Sequence, residues 1–260
     1  MSDFVTFKGL NILIDNEPVI YYANALNGAP AIRGLLLQHT NAAAIEDLRL
    51  ELIVTSLGVE LSHVFKQRIT TLPGSTEMEV PIRVHWDANA LWNLTEEQPA
   101  DIEVRIFQDE DLIHETVFPL QVASPSHWRS NGSNAETVLA AYVQPNHPAV
   151  TEVIKIAAEI LKSRGIKPSF SGYQEGPAHV LQIVEALWDA VKTMKIAYSN
   201  PPASWGLPGQ KIRSAEQIIE NKTSTCLDSS VFFASILENV GIAPVISLVP
   251  QHAWVGFWMV

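Results

Sequence analysis

Cys226 is the only cysteine among the 260 residues, and its surroundings are those a nucleophilic thiol requires. It opens a run in which Leu227, Val231, Phe233, Ile236, Leu237 and Val240 give a helix an apolar face almost all round, with Gly241 as the stop. A thiol in the first turn of a buried helix feels unpaired backbone N–H groups and the positive end of the helix dipole, which favour thiolate over thiol. Thr225 or Ser224 can cap that helix, and the Cys226 N–H would face an acyl oxygen as half of an oxyanion hole. His252 follows 26 residues later, at the start of a strand, and is the candidate base. Spacing alone leaves the ordinary roles open: a lone Cys is commonly a small core hydrophobe and a lone His a structural hydrogen-bonding group.

Gln210 is a candidate second oxyanion donor, from the loop before the helix. Asp228 cannot share a face with Cys226, since two residues along a helix rotate a side chain by about 200°; its expected role is as partner to Arg213 or to a loop N–H. Tyr198, Pro201, Pro202 and Trp205 are candidates for the rim of a substrate groove, and Trp254 for covering the site or packing the core. His147 and His179 have no metal-ligand spacing with another His, Cys or carboxylate and are expected at the surface or at caps. One cysteine excludes a Cys-rich zinc site. Acyl transfer by a Cys–His pair requires no cofactor, so none is expected and no metal site is assigned.

The elements that must position these residues follow from periodicity. Residues 31–122 repeat with period two: Leu48, Leu50, Leu52 and Val54; Val80, Ile82, Val84 and Trp86; Ile102, Val104 and Ile106; Phe118, Leu120 and Val122. Half-buried strands without helix-length stripes between them predict antiparallel sheets stacked as an immunoglobulin-like β-sandwich over residues 1–125. Residues 124–134 are rich in turn formers and mark the boundary, with Trp128 expected to pack the junction. Behind it Val150, Val153, Ile154, Ala157, Ile160 and Leu161 predict one helix, ended by Gly165, and Val180 to Met194 a second. Residues 200–209 cannot be regular structure. Ser214 with Gln217 has the form of a capping box, and 245–249 and 253–260 read as strands after the Cys226 helix.

Residues 223–258 resemble the transglutaminase-like core, in which a helix-leading Cys is followed by Gly-Ile-x-Pro, here Gly241-Ile-Ala-Pro244, and by His252-Ala-Trp-Val255. Over residues 20–260, the runs Val143-Gln-Pro-Asn-His-Pro148, Tyr198-Ser-Asn-Pro-Pro-Ala-Ser204, Gly209-Gln-Lys-Ile-Arg213 and Thr225-Cys-Leu-Asp228 resemble the N-terminal region of large bacterial proteins. Those proteins join such a domain to a superfamily I helicase. The resemblance implies an α+β chain: a β-sandwich, then a transglutaminase-like, papain-like cysteine hydrolase domain over 135–260, its Cys-bearing central helix packed on an antiparallel sheet. It also implies a bacterial, defence-related setting and further domains in a longer chain. The family often has Gly where this chain has Ser224 and Gln251, a change tolerated where the backbone angles are ordinary. The resemblance places a third catalytic residue, Asp or Asn, on the strand after the His strand. This sequence stops at Val260, so C-terminal truncation of the domain is expected.

Composition narrows the function classes. Net charge is −11, and residues 1–125 carry 7 Lys/Arg against 18 Asp/Glu while the remainder carry 10 of each. That balance repels phosphate backbones, so direct nucleic-acid binding by this region is not expected. No apolar run reaches the roughly 18 residues of a membrane span, and the N-terminus lacks a signal-peptide pattern, so a cytoplasmic location is expected. The expected activity is cysteine-dependent acyl transfer to water on a peptide or protein substrate, as a protease or amidase. The rival reading is an inactive domain of the same fold that serves as a protein-interaction platform.

Overall fold

The computed structural model describes residues 5–131, 135–200 and 209–260. The chain is α+β, and it divides into two compact units, Met1–His127 and Trp128–Val260. The break falls inside the turn-rich segment 124–134.

The first unit is built from strands β1 (Leu10–Asn16), β2 (Val19–Ile20), β3 (Ile32–His39), β4 (Ile45–Ser56), β5 (Val59–Glu60), β6 (Phe65–Leu72), β7 (Thr76–Val80), β8 (Gln98–Gln108) and β9 (Asp111–Val122). Two short helices, α1 (Tyr22–Leu26) and α2 (Ala88–Trp92), lie between strands. One sheet has the order β1-β3-β7; the other runs β2-β9-β8-β4-β5, with β6 also paired to β4. All these pairings are antiparallel except the short β2–β9 pair. Leu10, Leu35 and Leu37 from the first sheet and Leu48, Leu50, Leu52, Val54, Ile102, Val104 and Ile106 from the second are buried in one core. Alternation puts those side chains on one face, and each contributes roughly 1.5–3 kcal/mol by leaving water.

The expected strand across 80–86 differs. β7 ends at Val80, and beyond it only an isolated Ser62–Trp86 bridge forms, although Ile82, Val84 and Trp86 still pack against the core. Pro81 has no N–H to give to a neighbour, so period two here reports burial without a ladder.

The second unit begins at Trp128, the second residue of β10 (His127–Trp128), and contains α3 (Ala135–Leu139), α4 (Pro148–Ser163), α5 (Pro177–Thr193), α6 (Ala215–Asn221) and α7 (Cys226–Asn239). Its further strands are β11 (Ala197–Tyr198), β12 (Gln210–Lys211), β13 (Thr223–Ser224), β14 (Pro244–Val249) and β15 (His252–Phe257). Val150, Val153, Ala157 and Leu161 form the buried stripe of α4; His147 caps it by accepting from Ala149 N, Pro148 starts it, and Gly165 at φ +72° follows its end. The stripe packs with Val180, Ile183 and Leu187 of α5 and with Phe232, Ile236 and Leu237 of α7. Ten of the fourteen α7 residues are buried, and the antiparallel β14–β15 hairpin packs on that helix. No helix among the described residues is long and apolar enough to cross a membrane.

Candidate active site

The N-terminus of α7 is fixed by reciprocal hydrogen bonds. Thr225 Oγ1 accepts from Asp228 N at 3.1 Å, and Asp228 Oδ2 accepts from Thr225 N at 2.9 Å, a capping box that satisfies two donors at the helix start. Asp228, with 0% exposure, also accepts from Arg213 N at 2.8 Å and from Arg213 Nη1 at 2.7 Å. It therefore clamps the start of α7 to the chain after β12. Gln210 Nε2 donates to Thr225 Oγ1 at 3.0 Å. Gln210 thus reaches the residue preceding the thiol, and the second N–H of the same amide nitrogen is the oxyanion-donor candidate. Just before it, Gly209 has φ +136°, and a Cβ there would stand 2.0 Å from the Trp128 carbonyl oxygen, so this approach of backbone on backbone admits only glycine.

Cys226 is half-buried, against the cluster of Trp128, Leu139, Ile212, Leu227, Val231 and Ala253. Its other side opens on a cavity of about 540 Å³, which His252, Tyr198, Ser224 and Trp254 also line. Tyr198 is brought there by the parallel pairing of β11 with β13, in which Ala197 faces Thr223 and Tyr198 faces Ser224. Tyr198 and Cys226 line the same wall of the cavity, near enough for their titrations to influence each other. Desolvation first, and then the charge and accepting capacity of the neighbouring Cys226, push the Tyr198 phenol above its ordinary range. A substrate-rim candidate in the sequence, Tyr198 thus shares the cavity with the thiol; pairing between two-residue strands gives no signal in periodicity.

His252 is the first residue of β15 and exposed, with its ring 5.9 Å from that of Trp254, tilted by 48°. Val249 pairs with His252 across the turn Pro250-Gln251, and Gln251 adopts φ +67°. A proline followed by a residue with positive φ suits a two-residue turn whose second position favours Gly. The Gln251 backbone is therefore not ordinary, which explains physically why glycine suits this position. Ser224 has no positive φ and sits in extended β13. Among the described residues no carboxylate or amide is hydrogen-bonded to His252.

Trp205, with Pro201 and Pro202, lies outside the described residues. His179 is buried where a surface or cap position was expected: Nε2 meets Ser169 O at 3.1 Å and Nδ1 meets Gln182 Oε1 at 3.3 Å. Trp128 packs within the second unit, its indole N–H donating to Ala135 O at 2.8 Å. No group of three or more His, Cys, Asp or Glu among the described residues gathers as a metal site.

No protein-family model matches the chain, and no curated protein matches it. A solved structure that matches is a beta-glucuronidase from glycoside hydrolase family 2, 14% identical with a TM-score of 0.29. The match covers 43% of this chain and 11% of that one. Similarity at this level carries no argument about fold or activity.

Proposed function

We propose that the second unit is a transglutaminase-like, papain-like module for cysteine-dependent acyl transfer to water, acting as a protease or amidase on peptide or protein. The first unit, in the same proposal, is an immunoglobulin-like sandwich, and the whole is a cytoplasmic, bacterial part of a longer helicase-containing chain. The observation that carries the catalytic reading is that Cys226, at the capped start of a buried helix, and His252, at the start of a strand packed on that helix, line one cavity.

In the reaction, Cys226 Sγ attacks an amide carbonyl while His252 takes the thiol proton. The carbonyl oxygen gathers negative charge, held by the Cys226 N–H with Gln210 as second donor. As the C–N bond breaks, the His252 proton passes to the leaving amine and a thioester remains on Cys226. His252 then deprotonates a water, which attacks the thioester, releases the acid and restores the thiol.

A small activated ester tests this. Acylation of Cys226, followed by intact mass, is expected to appear and decay in the wild type and to be absent in Cys226→Ala. In His252→Ala the adduct is expected to form slowly and persist. An adduct that decays equally fast without His252 removes the base from the proposal. A second reading, an inactive interaction platform, is favoured by the exposed Trp188, Trp254 and Trp258 and by the absence of a His252 hydrogen-bond partner among the described residues. It predicts no turnover of the adduct in any variant.

A further inference from the structure

Beyond the Cys–His pair, the cavity wall has a chemistry of its own. Trp188 is 56% exposed and Trp254 48% exposed, although both line the cavity with Val191 and Phe233. Trp188 is held in place edge-on to Phe233 at 5.8 Å between ring centroids. Two indoles left in water around a concave apolar wall are the kind of surface that gains most when a large apolar side chain covers it. The charged groups on the same wall have one sign. Lys192 and Lys195 line the cavity, and no Asp or Glu is among its described lining residues. Lys192 meets only Asp189, at 3.4 Å, and Lys195 has no acidic partner among the described residues. Lys195 also adopts φ +54°, a conformation that favours glycine and yet keeps a long cationic side chain here. In a half of the chain with ten Lys/Arg against ten Asp/Glu, a wall with two cations and no anion is a local excess of positive charge.

We infer that this cavity takes an extended peptide carrying a bulky apolar side chain beside an acidic group, the apolar group between Trp188 and Trp254 and the carboxylate at Lys192 and Lys195. The inference rests on the proposed function for its orientation, since it brings the backbone of that peptide to Cys226. It gives the module a substrate class: segments in which Phe, Trp or Leu adjoins Asp, Glu or a terminal carboxylate. Charge at the rim adds selectivity and faster encounter more than raw affinity.

The test uses the whole chain and three peptidyl chloromethyl ketones, acetyl-Asp-Phe, acetyl-Lys-Phe and acetyl-Asp-Ala, with modification of Cys226 followed by intact mass. In parallel the three unreactive peptide amides are titrated against tryptophan fluorescence. Asp-Phe is expected to exceed Lys-Phe by roughly tenfold in rate and in binding, the size two exposed charge pairs can reach together. It is expected to exceed Asp-Ala by a similar factor. Within the double variant Lys192→Glu, Lys195→Glu the charge preference reverses, and within Trp188→Ala the preference for Phe over Ala shrinks. Equal binding of all three amides overturns the inference. The two failures are separable: if Cys226 reactivity ignores His252→Ala, the catalytic reading falls and the amide titrations alone decide the substrate class.

Discussion

Replacing Asp228 with alanine should show how firmly the nucleophile's helix is anchored. The carboxylate takes three donors, Thr225 N, Arg213 N and Arg213 Nη1, at 2.9, 2.8 and 2.7 Å. Without it a buried backbone N–H at Thr225 has no partner, at a cost of about 1–3 kcal/mol, and a second N–H at Arg213 loses its acceptor. Breaking a buried ion pair costs about 3–5 kcal/mol, but the Arg213 side chain is 30% exposed and can turn to water, so its share is discounted. We expect about 3–4 kcal/mol in all, a large part of the roughly 5–15 kcal/mol that holds a domain folded. Arg213→Ala leaves the two backbone bonds intact but takes the cation from a fully buried carboxylate, so it should cost about 2 kcal/mol, less than Asp228→Ala because those two N–H donors still hold the charge. Hydrogen exchange by mass spectrometry, read on peptides covering residues 213–240, gives both values for the second unit directly. A loss below about 1 kcal/mol for Asp228→Ala, or equal losses for the two variants, would refute the anchoring argument.

Gln251→Gly should raise stability by about 0.5–1 kcal/mol, because φ +67° strains any residue with a Cβ; a fall in the urea midpoint would contradict the turn assignment. Desolvation, and after it the charge of the Cys226 thiolate, disfavour the Tyr198 phenolate, so Tyr198 should titrate at higher pH than an ordinary tyrosine and return only part of the way in Cys226→Ala. NMR of ring-labelled tyrosine checks this, and an unchanged titration would separate the two side chains. In the first unit, burial of His114 lowers its pKa from the ordinary 6.5, while Nδ1 accepts from Phe7 N at 3.2 Å. Between the folded and unfolded values the unfolded chain binds more protons, so stability rises with pH and this contribution is fully present only above about 6.5. His114→Gln should flatten the stability slope below about pH 6.5; an unchanged slope assigns it to other groups.

The elements with long periodic patterns were legible in the sequence. The stripes of α4, α5 and α7 and the alternation in β4 and β8 are repeated many times over, and the Ser214–Gln217 box gives α6 its start. The strand expected across 80–86 failed because alternating burial looks the same with or without a ladder, and Pro81 decides between them. At the site, Cys226 and His252 stood out by type, and the structure brings both to one cavity. The placing of Tyr198 in the same cavity as the thiol was not legible, because it depends on a two-residue parallel pairing across 25 residues of chain. Nor was the left-handed turn at Gln251, where the side chain gives no warning of the backbone angle. The lysine pair and the two indoles of the cavity wall were equally hidden, since they come from α5, the residue just after its cap and β15, brought together only by packing.

The central claim is that Cys226 and His252 act as one unit, and it is tested most directly by the rate of iodoacetamide alkylation at the single cysteine. The rate is measured at neutral pH in the wild type and in His252→Ala, with hydrogen exchange confirming that both remain folded. We predict rapid modification of the wild type, faster than that of the same thiol in the unfolded chain, and a loss of about tenfold or more in the variant. Equal rates in the two folded proteins, both no faster than in the unfolded chain, would show that no assembled pair exists and would leave the interaction platform as the reading of this fold.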